Sequence, residues 1–142
     1  MFNPTRDQTR LFFIDAWGKL GRRELLTPLE AMAADIIAHH PEYHALLEAK
    51  DSVEREFPPE DGQINPFLHL SLHLAIEEQL SIDQPPGIRA LFDAACVRYG
   101  ERHAAQHDLL EALAETVWTA QRERRAPDGA IYLARARQLA GL

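Results

Sequence analysis

Three times along this chain a histidine is followed four residues later by a second histidine, and four residues after that by a glutamate: His40-His44-Glu48, His69-His73-Glu77 and His103-His107-Glu111. At 3.6 residues per turn, each triplet stands as a column down one side of an α-helix. The chain has seven histidines and the triplets use six of them. Random placement would give roughly a third of one such i,i+4 histidine pair, so chance does not account for the pattern. The middle triplet lies in a run where Leu70, Leu72, Leu74 and Ile76 leave no polar side, which predicts a helix buried nearly all round. Unpaired imidazoles or carboxylates there would cost a few kcal/mol each, so they need partners. A metal ion is the simplest partner that several of them can share.

The nine prolines punctuate the chain in a way that suits helices, because proline's missing N–H is harmless at a first helical position. Asn3-Pro4 is expected to open a first helix running to about Gly21. Thr27-Pro28-Leu29-Glu30 reads as a capping box opening a helix to about residue 38. Pro41 to Glu48 is a kinked continuation or a short separate helix. The charged stretch 50–63, with Pro58-Pro59 and Gly62, reads as a loop that serves as a lid or a crossover. Asn65-Pro66 opens the central helix, expected to end near Ser81, and Pro85-Pro86-Gly87 forms a stiff connector. A helix from about Ile88 to Tyr99 should turn Leu91, Ala95 and Val97 inward. The next, Glu101 to Arg125, carries the stripe Leu110, Leu113, Val117 and Trp118. Pro127-Asp128 starts a last segment with Ile131, Leu133 and Leu139. No strand-like alternation extends beyond three or four residues, so the expected fold is all-α: a single domain over 1–142, a bundle of about five to six helices.

Composition narrows the function. The formal charge of −7 argues against nucleic acid or an anionic membrane surface as partner. With one cysteine, Cys96, neither an intrachain disulfide nor a Cys-rich zinc motif is available, which fits a reducing cytoplasm. The apolar run Leu11 to Ile14 is interrupted by Asp15 too soon for a signal-peptide core, and no run reaches transmembrane length.

Two imidazoles four apart on a helix can reach one ion or two adjacent ions. Nitrogen and carboxylate donors without thiolate suit iron, manganese or zinc, and helical bundles hold metals through such inward-facing columns. The candidate metal ligands are His69, His73, Glu77, His103, His107, Glu111, His44 and His40, the carboxylates either binding metal or orienting the rings. On the Glu101–Arg125 helix, His103 and His107 continue the stripe of Leu110, Ala114 and Val117, which places them on the core side. The sharpest expectation is that His69, His73, His103 and His107 converge in one core. His40, next to Pro41, sits at a cap position, and His39 should be exposed. Glu48 and Glu111 fit surface hydrogen bonds equally well.

The stretch Asn65-Pro66-Phe67-Leu68-His69-Leu70-Ser71-Leu72-His73, with Glu77-Glu78-Gln79 and Ser81-Ile82-Asp83-Gln84-Pro85-Pro86-Gly87-Ile88-Arg89, resembles a bacterial family of unknown function, domain of unknown function 1841. Met1-Phe2-Asn3-Pro4 and His103-Ala104-Ala105-Gln106-His107 carry the same likeness. That resemblance implies no activity. In style alone the triplets are also similar to the histidine helices of hemerythrin-like di-iron bundles, although the final H-x4-D helix of that group is missing. The site therefore has to supply the function. The first reading is a metal-binding helical bundle, in which an open coordination position would let the ion activate water or dioxygen, with Glu77 or Glu111 as base or bridging ligand. The second is a non-enzymatic interaction module with a buried histidine network, presenting Trp17, Trp118 and the Pro85–Ile88 loop to a protein partner. A homodimer is compatible with either reading.

Overall fold

The structure is a computed structural model and describes residues 5–57 and 65–142. Among these residues it has seven α-helices, one 3-10 turn and no strand: α1 (Arg6–Gly21), α2 (Pro28–Ala38), the 3-10 turn Pro41–Tyr43, α3 (His44–Glu48), α4 (Pro66–Ile82), α5 (Ile88–Tyr99), α6 (Arg102–Arg122) and α7 (Gly129–Leu139). The all-α expectation holds, but five to six helices is an undercount. Pro41 breaks the chain after α2 into a 3-10 turn, so α3 stands as its own helix. Gly100, at φ 71°, closes α5 before α6 begins. The opening Asn3-Pro4 lies outside the described residues, as do Pro58-Pro59 and Gly62 of the 50–63 loop. The visible start of α1 is a capping box, in which Thr5 and Gln8 exchange side-chain-to-backbone hydrogen bonds.

The described chain divides into two compact units, the boundary falling within α4 between Leu74 and Ala75. In the first unit α1 packs on α2 and α3. Its core gathers Phe13, Ala16, Ala33, Ile36, Ile37, Leu47, Phe67 and Leu70. Arg10 is buried beside this core. Its guanidinium donates to the carbonyls of Val53 (2.8 Å) and Arg55 (2.7 Å) and stacks over Phe57 and Phe67, so segment 53–57 is tied to α1. In the second unit α6 packs on α5 and α7.

Burial corrects the phase of three helices. Leu91 and Ala95 are buried as expected, but Val97 is 84% exposed, and α5 instead buries Ile88 and Phe92. On α6, Leu110 and Leu113 are buried. Trp118 lies outside with Arg122 stacked over its ring, while Ala105, Leu109, Ala112, Thr116 and Ala120 line the inner face. On α7, Ile131 is exposed and Tyr132 and Ala136 are buried. Helix α4 is also less enclosed than its composition suggests. It buries Phe67, Leu70, His73, Ile76 and Leu80 and exposes Leu68 and Glu78.

The second capping box has an electrostatic consequence. Glu30 bonds the Thr27 backbone N–H (2.9 Å) and also accepts from Lys19 at 2.8 Å. The Lys19 ammonium and the Thr27 amide hold the Glu30 carboxyl below its ordinary value of 4.5. A carboxyl lowered in the folded state contributes stability that is present above 4.5 and lost as pH falls toward the lowered value. Glu30→Gln is therefore expected to be less stable than wild type at neutral pH, and to lose less of its stability on acidification. Urea midpoints on both sides of that window test this.

Candidate metal centre

Helix α4 sets the frame. Asn65 caps it, its Oδ1 accepting from the amide N–H of Phe67 at 2.9 Å, and one turn separates His69 from His73. His40 reaches the same place from the end of α2. The last carbonyls of a helix have no partner within it. His40 folds back on one of them, placing Nδ1 2.8 Å from the Ile36 carbonyl. A carbonyl can only accept, so Nδ1 carries the proton and Nε2 is left to point into the core.

The three Nε2 atoms meet there. His40 Nε2 lies 3.1 Å from His69 Nε2, and His73 Nε2 lies 3.2 Å from the same atom. Every pair of these rings is edge-to-face, with centroids 4.7–4.9 Å apart, so they stand like blades around one point. His40 and His73 are buried, and His69 is half-buried. Tyr43 stacks parallel to His40 at 5.4 Å and meets His69 edge-on at 5.9 Å. His44 does other work: its Nε2 donates to the Ile37 carbonyl at 2.8 Å and its ring stacks on Trp17, which fastens α3 to α2 and α1. His39 is exposed, as expected, with Nδ1 on the Asp35 carbonyl.

In the second unit, His103 and His107 stand edge-to-face on α6, with centroids 4.4 Å apart. Glu101 caps this helix, accepting from the backbone N–H groups of His103 (2.8 Å) and Ala104 (2.9 Å). His103 is half-buried and His107 exposed, so the pair flanks the buried stripe and does not continue it. Two of the three triplet carboxylates are engaged away from the rings. Glu48 accepts from the Trp17 indole N–H, and Glu77 accepts from the Arg102 guanidinium (3.1 Å to each oxygen) and from Gln106 (2.7 Å). Glu111 is exposed on α6.

Spacing alone pointed to the imidazoles but undervalued His40, which the proline after it appeared to reduce to a cap. The usable signal was a histidine directly after a helix end, where a carbonyl of the last turn can fix its tautomer. Burial pushes the Cys96 thiol up from its ordinary value.

The histidine-rich centre on a helical frame thus defines a class by architecture. A family model described as a domain of unknown function, DUF1841, matches residues 5–138, and the chain belongs to that family. No curated protein and no solved structure matches it. No described helix is long and apolar enough to cross a membrane.

Proposed function

We propose that this is a metal-binding helical protein in which the Nε2 atoms of His40, His69 and His73 hold a divalent ion. The carrying observation is the pair of nitrogen separations, 3.1 and 3.2 Å. Nitrogens bound at about 2.0–2.1 Å lie about 3.3 Å apart in a tetrahedral site and about 2.9 Å apart at right angles. The observed values fall between these two.

His40 and His73 each offer a ring nitrogen as a metal ligand. Imidazole donors suit zinc and iron better than manganese, which favours oxygen. A coordination position left open on the ion would serve to activate water or dioxygen.

The test is elemental analysis of the full chain purified without a histidine tag, before and after reconstitution with iron, manganese or zinc. Stoichiometric metal is expected for wild type, with His73→Ala losing it. Sub-stoichiometric metal in reconstituted wild type would rule the reading out.

A further inference from the structure

The proposed centre is built from imidazoles alone, and imidazole ligates as a neutral base. At His40 the Nδ1–H meets the carbonyl of Ile36, not a carboxylate that would lend the ring negative charge. The carboxylates that helical spacing sets beside the histidines are committed elsewhere: Glu48 to Trp17, and Glu77 to Arg102 and Gln106. A divalent ion on such ligands keeps both its positive charges. His40 and His73 are only 2% and 0% exposed, and the same segments bury Ile37, Phe67 and Leu70, so water offers that charge little relief. Three protein nitrogens also leave a four-coordinate ion one position short. Of the three rings, His69 is the one that is only half-buried, beside the half-buried Tyr43.

Resting on the metal reading above, we infer that the loaded centre takes a small monoanion, of the azide, halide or carboxylate type, as a further ligand. The anion fills the vacant position and cancels half of the ion's charge. It binds through the metal, so its affinity follows its strength as a ligand and not its charge alone.

The test uses the full chain loaded with cobalt(II), whose visible absorption reports coordination. Sodium azide and sodium acetate are titrated separately, with sodium perchlorate, a very weak ligand, at matched ionic strength. A saturable shift of the cobalt bands at millimolar azide, absent with perchlorate, is the expected result, and a matching response to acetate extends the class to carboxylates. Cobalt bands that neither anion moves, or that perchlorate moves equally, would overturn the anion inference and leave the metal reading standing. Failure of the chain to develop cobalt bands at all would overturn the metal reading itself.

Discussion

His69→Ala is expected to remove nearly all of the thermal stabilisation that zinc or iron(II) gives the wild-type chain. His69 Nε2 is the atom that both His40 and His73 approach, so its loss takes away the shared neighbour of the group. Metal supplied at about a hundred times its Kd stabilises a protein by about 2.7 kcal/mol. For a chain of this size that raises Tm by about 8 °C. Removing one ligand of a nitrogen set should raise Kd by at least about 100-fold, given that loss of an orienting partner alone costs 10–100-fold. At the same metal concentration the stabilisation then falls to about 0.4 kcal/mol, a shift of about 1 °C. Calorimetric scans of chelator-treated protein with and without metal measure both. His44→Ala is the matched control: its Nε2 serves the Ile37 carbonyl, so it should lower the baseline Tm and keep the metal-induced shift. A full shift in His69→Ala would move the ion away from the three-ring convergence.

The largest loss of stability from a single side chain is expected at Phe13. It is 1% exposed, lies in the core with Ala16, Ile37, Leu47 and Phe67, and meets Phe12 edge-on. Truncation to alanine removes a buried ring and leaves a cavity that the helices close only in part, at a cost of about 3–5 kcal/mol. That is a large fraction of the roughly 5–15 kcal/mol that holds a typical domain together. Urea unfolding followed by far-ultraviolet circular dichroism should show a much lower midpoint. Val97→Ala, at a position 84% exposed, should change stability by no more than about 0.5 kcal/mol. A comparable loss at Val97 would mean that its face of α5 is covered in solution.

Helix starts were the most legible feature of the fold, because their signals are local. Thr27 with Glu30, Asn65 before Pro66 and Asp128 before Gly129 all cap helices where the sequence placed them. Most helix ends were legible too: Gly21, Ala38 and Tyr99 fall where the sequence placed them, and Ser81 is one residue short of Ile82. The exception is α6, read to Arg125, which ends at Arg122 with Arg124 in the left-handed region, where glycine would have been the recognisable sign. Inner faces were misread where size stood in for burial. α6 buries Ala105, Ala112 and Ala120 and leaves its tryptophan outside, since close helix packing favours small side chains over large ones. At the site, the i,i+4 spacing identified the imidazoles because helical geometry alone aligns them. It could not foretell the carboxylates. The partners that engage Glu77 are Arg102 and Gln106, 25 and 29 residues away, and only folding brings them together.

The chain's two tryptophans fall one in each compact unit, Trp17 on α1 and Trp118 on α6. Trp17 is half-buried, with the His44 imidazole 4.3 Å from its ring and tilted by 30°, whereas Trp118 is 59% exposed beneath a guanidinium. Their emission is therefore spectrally separable: a blue-shifted, imidazole-quenched band from one unit and a red-shifted band from the other. A protein lacking Trp118 carries an optical reporter confined to the packing of α1 against α3, with no label attached.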